Sequence, residues 1–410
     1  MKELVNNLRI SLFLAYRGIV RGNIGTILMT IMMMVLAFLN LVFLSSIFTG
    51  ISKAIDSQAI NMMYGNILIK PGKDDFYIKD VANKIRLISG LPGVVGASSH
   101  YVDSLYIEFD PEQDGLDVKS GNWITKAVNI NEDRLVSNVS DYIVEGRFLD
   151  ENSRDEIVLG RDVAGTHGTD KYNSSLKGVK VGDKVYATFS NGIRREYRVV
   201  GIFMSKSLFA DSMIYISKNE YQSAYRVNGV ANEIAVKLDQ DNLEEKYIKI
   251  IKSLGIDDVD IKSWREVNEL GGGITNSFTM IKGMLSAIGM LVAAVTIFII
   301  IFVSVVNRRK QIGIMKAIGM QEEIIIISYI WQSLFYALCG VVFGLIIMYK
   351  AIIPIFVTYP LDFPVGYVSL VLSNNDLWTA SIGLIASAFI GGLIPSLMGV
   401  KESILKLIWG

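Results

Sequence analysis

The side chains of this chain best suited to chemistry are few, and their spacing decides what they cannot do. His100 and His167 are the only histidines and Cys339 is the only cysteine. A Cys- or His-built metal centre and an internal disulfide are therefore excluded. A nucleotide-cradling loop needs Gly-x-x-x-x-Gly-Lys-Ser/Thr behind a strand. Pro71-Gly72-Lys73-Asp74 lacks the upstream glycine, and Gly271-Gly272-Gly273 has no preceding strand and no following Lys-Ser/Thr. The three glycines read better as a flexible hinge. No Gly-x-Ser-x-Gly elbow and no His-Glu-x-x-His helix occurs. Asp103, Glu108 and Asp110 cluster at a strand end and read as a solvated face. No catalytic residue, metal ligand or bound cofactor is expected.

One segment carries more information. Asn307–Met320 reads NRRKQIGIMKAIGM. A cationic run is expected at any loop facing the cytoplasm, which accounts for Arg308, Arg309 and Lys310. It does not account for the apolar residues after them. Ile312, Met315 and Ile318-Gly319 give a short amphipathic helix, with Gly313 and Gly319 allowing close backbone approach. Such an apolar face is too short to form its own core and calls for a partner.

The elements that must position this segment are membrane spans. Hydrophobic residues make up 51% of 410 positions, and 40 basic residues balance 40 acidic ones, so net charge points to no acidic or basic partner and to no nucleic acid. Four stretches lack charge for about 20 residues or more, the length needed to cross a hydrocarbon core. They lie between Arg21 and Lys53, Lys282 and Arg308, Glu323 and Lys350, and Asp376 and Lys401. The first is too long for a removable signal and reads as a retained anchor. Lys2, Arg9, Arg17 and Arg21 precede span one, Arg308–Lys310 and Lys316 follow span two, and Lys401 and Lys406 follow span four. The loop at about 351–376 carries only Asp362 and Asp376. Both termini are thus expected in the cytoplasm, with residues from about 50 to 274 outside. The span interiors hold no Asp, Glu or Arg, which argues against a proton relay or ion-coupled carrier; Lys282 sits where it can snorkel outward.

Residues 4–20 place Leu4, Leu8 and Leu12 at helical spacing with Arg9 and Arg17, which fits an amphipathic helix on the cytoplasmic leaflet; a plain extension of span one is the alternative. The outer segment reads as α+β. Asn66–Lys70 and Glu233–Leu238 are expected strands, each followed by a helix, at Phe76–Ser89 and Asn242–Leu254. Two strand–helix–strand units around an insertion suggest one sheet built from both ends. The insertion, about 140–215, is expected to be a small β-rich subdomain with strands at Glu156–Gly160, Lys184–Phe189, Glu196–Phe203 and Ser212–Ile216. Asn191-Gly192 marks a hairpin.

The cytoplasmic segment also carries a resemblance. Its Arg308-Arg309-Lys310-Gln311-Ile312-Gly313-Ile314-Met315-Lys316-Ala317-Ile318-Gly319 resembles the signature of the MacB/LolC–LolE/FtsX superfamily of ABC transporter permeases. Val144–Phe148, Glu156–Gly160, Val181–Asp183 and Val199–Phe203 are similar to that group's periplasmic core domain, and Pro395-Ser396 to its Pro-Ala/Ser motif. The closing Lys401–Lys406 run departs from the family ending. The resemblance implies four transmembrane helices with a large extracytoplasmic domain at 51–274 between spans one and two, made of a porter part (51–139 and 216–270) and the β-rich insertion (140–215). The spans would be 23–50, 275–306, 324–350 and 377–398, with an N-terminal helix at 1–22, a coupling loop at 307–323, an external loop at 351–376 and a tail at 399–410. Arg308, Arg309, Lys310, Gln311, Ile312, Gly313, Ile314, Lys316, Ala317 and Gly319 would dock on a separate ABC ATPase, which would hold the ATP and magnesium. Two permease chains, alike or different, would pair in a cell's inner or plasma membrane. By this likeness the chain is a non-catalytic subunit that exports or extracts a lipoprotein, peptide or amphiphile, with an adaptor as a further partner. An FtsX-like subunit that activates an extracytoplasmic cell-wall hydrolase is the alternative, disfavoured by the size of the outer domain. The Met-Asn-Gly-Phe run of the lipoprotein-releasing type is missing, with Phe48-Thr49-Gly50-Ile51 near its place, so the substrate stays open.

Overall fold

The computed structural model describes residues 2–112, 114–166, 175–207, 209–256, 258–363, 365–404 and 407. His167, Leu405 and Lys406 lie outside the described residues. In chain order, α1 (Lys2–Val20) and α2 (Ile24–Gln58) lead through a π-turn at Ala59–Tyr64 to β1 (Ile67–Pro71), α3 (Val81–Ser89), β2 (Val94–Phe109) and β3 (Lys119–Val128). Then come α4 (Ile130–Asp133), β4 (Ile143–Gly146), β5 (Glu156–Gly160), α5 (Arg161–Ala164), β6 (Lys184–Thr188), β7 (Arg194–Phe203) and β8 (Ile214–Ser217). After α6 (Lys218–Tyr225), β9 (Glu233–Leu238), α7 (Glu244–Ser253), β10 (Val259–Ser263) and α8 (Trp264–Val267), α9 (Glu269–Asn307) begins the second helical region. It continues with α10 (Arg309–Ala317), α11 (Glu322–Ile347), a π-turn at Met348–Ile352, α12 (Ile353–Thr358), the short strands β11 (Leu361–Phe363) and β12 (Gly366–Val368), and α13 (Asn374–Val400).

The chain divides into two compact units. The first comprises 1–52, 276–361 and 368–410. Among the described residues, four helices, Ile24–Tyr64, Glu269–Asn307, Glu322–Thr358 and Asn374–Val400, are long and apolar enough to cross a membrane. Lipid tails offer no hydrophobic drive between helices, so packing rests on close backbone approach at small residues. A Cβ on Gly340 would fall 2.7 Å from the Met34 Cβ, and one on Gly391 would fall 2.4 Å from the carbonyl oxygen of Ala294. Span one is thereby seated on span three, and span four on span two. Two expectations change here. Helix runs through the first eight residues of the expected external loop, because the π-turn absorbs one extra residue instead of ending the helix. The expected joint at Gly271–Gly273 is also helical, since these glycines fall in the opening turns of α9, where the Asn268 side-chain oxygen accepts from the Gly271 N–H at 3.2 Å.

The second unit comprises 53–275 and 362–367. Strands β1, β2, β9 and β10 pair antiparallel in the order β10-β1-β9-β2, with α3 and α7 following β1 and β9. This is the split β-α-β arrangement, built from both ends of the segment. Alternation sets its faces: Ile67 and Ile69 pack with Ile88 and Ile251 under the helices, while Leu68 faces the opposite side with Val136 and Ala235.

The insertion does not form a separate sheet. Strand β2 is 16 residues long and outruns its partner β9. Its second half pairs with β3 and β6, and the pairings β2·β3, β3·β8, β8·β5, β5·β7, β7·β6 and β6·β2 close a ring. Six strands thus form a small barrel that removes its own edges. Leu105, Ile107, Ile157, Leu159, Val185, Tyr197, Val199 and Ile214 fill the interior. Tyr221 of α6 closes one side, stacked on Tyr101 at 4.4 Å between ring centroids. The expected boundary at 139/140 therefore moves, because β2 and β3 supply two of the six staves. The Asn191-Gly192 hairpin joins β6 and β7, with Gly192 at φ +84°. Gly146 and Gly201 sit opposite each other on β4 and β7, where a Cβ on either would come 2.1 Å from a carbonyl oxygen.

A buried charge cluster marks the point where β2 changes partners. His100 lies opposite both Glu233 on β9 and Val128 on β3. Its Nε2 is 2.9 Å from Asp133 of α4, and its Nδ1 is 3.3 Å from Glu233. Lys126 of β3 pairs with Glu233 at 3.2 Å and also donates to the carbonyl oxygen of Met63 in the π-turn. With a carboxylate at each ring nitrogen, the imidazolium form donates twice. Burial by itself would depress the His100 pKa, but its hydrogen bonds to Asp133 and Glu233 outweigh that and hold it above the ordinary 6.5. Burial also raises Glu233, yet the Lys126 and His100 charges win and push it down to about 2. Stability from His100 is complete below pH 6.5 and is lost as pH rises through its raised value; that from Glu233 is lost only as pH falls from 4.5 toward about 2. Thermal unfolding of the outer domain should thus become easier as pH rises above 6.5. His100→Leu should lose about 3 kcal/mol at pH 6 and abolish that slope. An unchanged slope in the variant would refute the assignment.

Candidate functional site

The break between α9 and α10 falls at Arg308, whose backbone leaves helical geometry at φ −107°. Its guanidinium donates to the Gly18 carbonyl oxygen at 2.8 Å, tying the loop to the C-terminal end of α1. Helix α10 then runs nine residues to Ala317 and is stopped by Gly319, whose φ of +92° suits a left-handed helix stop. The next helix starts at Glu322, with two carboxylates in its first turn.

The helix presents two faces. Ile312 is fully buried with Val305, Ile325, Tyr329 and Val400, and Met315 packs against the same core. Gly313 is buried beside them. The Lys316 ammonium donates to the carbonyl oxygens of Val400 and Glu402, both at 2.8 Å, and pairs with Glu322 at 2.7 Å. A cation on the last carbonyl of α13 and on one just beyond it satisfies acceptors that the helix end leaves open. Arg308, Ile312, Gly313 and Lys316 are therefore turned to the bundle. Arg309, Lys310, Gln311, Ile314, Ala317 and Gly319 are exposed.

The exposed apolar face is consequently only in part the one the spacing suggested. Ile312 and Met315 belong to the chain's own core, while Ile314 at 56% exposure and Ile318 at 75% stand out. They are one turn apart on one side of α10, next to the Arg309 and Lys310 charges. Ile318 was expected on the partner-facing stripe and Ile314 was not, because a helical wheel cannot tell which apolar stripe the bundle claims. The resulting surface is a short helix with two large aliphatic side chains, a cationic entry and an anchored back.

A second cluster escaped sequence reasoning. Near one end of the bundle, the Lys282 ammonium of α9 lies 2.5 Å from Asp376 of α13 and donates to the Thr49 hydroxyl of α2 at 3.1 Å. Thr49 in turn donates to the other Asp376 oxygen at 2.8 Å. Asp376 is 7% exposed. Instead of snorkelling, Lys282 closes a three-helix ring of charge-assisted hydrogen bonds. The available sign was an opposite charge at the matching end of a neighbouring span, but nothing in the chain order shows which helices are neighbours.

Comparison with known proteins gives this geometry a context. Residues 27–254 match the family described as MacB-like periplasmic core domain, and residues 283–404 match the FtsX-like permease C-terminal family. An uncharacterized ABC transporter permease of Methanocaldococcus jannaschii is 25% identical over 93% of this chain and 94% of its own length. The macrolide export ATP-binding/permease protein MacB of Bdellovibrio bacteriovorus is 22% identical over 70% of this chain and 44% of its own. Among solved structures, the periplasmic region of MacB from Actinobacillus actinomycetemcomitans covers 52% of this chain and 95% of its own, at 15% identity and a TM-score of 0.36.

A double-mutant cycle measures the Lys282–Asp376 pair. Lys282→Met or Asp376→Leu alone should destabilise the bundle in detergent by up to about 3 kcal/mol, by leaving one charge unpaired. The double variant should recover most of that loss. Additive losses would mean that the pair contributes nothing as a pair.

Proposed function

This chain belongs to the MacB/FtsX-type ABC transporter permeases, and from that premise we propose that α10 docks a separate ABC ATPase and passes its motion to the membrane helices. The observation that carries this reading is the division of α10 into two faces. Ile314 and Ile318 face outward for a partner, while Ile312, Arg308 and Lys316 fasten the same helix to α1, α9, α11 and α13. A push on the outer face reaches several spans at once, because the inner face is closely packed and hydrogen-bonded. ATP and magnesium belong to the ATPase in this scheme. This permease is the non-catalytic member, and two permease chains assemble with the motor.

With Arg9, Arg17, Arg21, Arg309 and Lys310 all toward the loop end of the bundle, both termini and α10 face the cytoplasm. The domain at 53–275 then lies outside and is the working part, moved by the spans to expel or extract an envelope substrate. The macrolide named for one relative favours an amphiphilic cargo over a small ion, as do span interiors without Asp, Glu or Arg.

Ile314→Asp with Ile318→Asp places two carboxylates on the docking face and leaves the buried face untouched. Co-purification with the cognate ATPase should fall at least tenfold, the size expected for burying uncompensated charge at an interface hot spot, while the thermal stability of the permease stays unchanged. Retained ATPase binding by a folded double variant would sink the proposal.

A further inference from the structure

The bundle holds an apolar groove that the docking scheme does not use. Helix α1 runs alongside α11 in the same direction: Asn7 donates to the Gln321 side chain at 3.0 Å, and eleven residues further along both helices Gly18 meets Gln332. Close approach is possible because α1 turns small residues to α11, with Ser11 and Ala15 buried. Its larger side chains are left to one flank. There Leu12 and Tyr16 of α1, Trp331 and Leu338 of α11, and Ile385 of α13 line a groove of about 860 Å³.

One end of that groove is cationic. Arg9 lines it and is exposed, while Arg17, 5.6 Å from the Phe13 ring, lines a neighbouring recess with Arg21 and Arg308. Arg9, Phe13 and Arg17 stand four residues apart on one stripe of the helix. Neither guanidinium has a hydrogen bond or ion pair among the described residues. The level is that of the loop end of the spans, since Arg308 at the end of α9 reaches the Gly18 carbonyl. From there the groove passes along Trp331 to Leu338, seven residues or about 10 Å of helix, with only apolar walls.

We propose that this groove is a binding site for one anionic phospholipid, its phosphate held by Arg9 and one acyl chain laid along Trp331 and Leu338. A zwitterionic lipid satisfies the walls equally but brings its own cation to the Arg9 guanidinium. A helix from a second copy is about 10 Å across and would cover Arg9 without neutralising it. Basic recesses between membrane helices at the headgroup level select anionic lipids in this way. The site is independent of the ATPase, and it lies in the cytoplasmic leaflet by the orientation proposed above.

Trp331 lies in the groove wall and reports its occupant. The full chain is reconstituted in phosphatidylcholine vesicles containing a minor fraction of lipid with brominated acyl chains, either phosphatidylglycerol or phosphatidylcholine. The Trp331 contribution is the difference in quenching between the wild type and Trp331→Phe. Brominated phosphatidylglycerol should associate at least fivefold more strongly than brominated phosphatidylcholine, since one cation near the surface contributes about 1 kcal/mol. Arg9→Gln, a change at an exposed position, should reduce that preference below twofold without altering the melting temperature. Equal quenching by the two lipids in the wild type overturns the proposal, as does a preference that survives Arg9→Gln. Protection of Trp331 from both lipids also overturns it, because a second protein chain would then occupy the groove.

Discussion

The outer unit depends on one strand serving two bodies. The 16 residues of β2 form the edge of an open sheet over their first half and two contacts of a closed barrel over their second. A strand that changes partners must be held in register at the crossing, since a slip of one residue would turn every side chain to the wrong face. His100 stands at that crossing, bound to carboxylates from β9 and α4, and Lys126 extends the cluster to the π-turn at Met63. Buried charges contribute little net stability when paired, and their removal one at a time is costly. Their use here is consistent with fixing register, because each alternative pairing leaves at least one charge alone.

The bundle meets a different constraint with similar means. Between helices in lipid, polar contacts and close packing replace the hydrophobic drive. Gly340 and Gly391 allow backbones to approach, and the Lys282–Asp376–Thr49 ring ties three helices together by charge-assisted hydrogen bonds. At the opposite end of α9, Arg308 and Lys316 bind main-chain carbonyl oxygens of α1 and α13. Cations that hydropathy counts as topology signals are thus also helix-end ligands. This double use explains why the basic residues of the loop cannot all be offered to a partner.

Much of this is legible in the residues alone. The four spans follow from uninterrupted apolar length, a property of composition that needs no neighbour to define it. The split β-α-β sheet follows from two strand–helix–strand patterns at the ends of the outer segment, and the hairpin at Asn191-Gly192 from turn chemistry that is local by nature. The loop between spans two and three is recognisable as a cationic run followed by an apolar helix. Its exposed stripe is not, because Ile312, Met315, Ile314 and Ile318 are equally apolar and only the bundle's contacts separate core from surface.

Residue order alone thus specifies whatever depends on a residue and its near neighbours in the chain: span length, helix period, turn type and the charge asymmetry of loops. Only folding settles which far-apart residues meet. Barrel closure through β6·β2, the pairing of Lys282 with Asp376 across 94 residues, and the choice of Ile314 and Ile318 as the open face all belong to that second class. Each depends on a contact between distant segments whose energy is absent until the fold has brought them together. No local pattern encodes it.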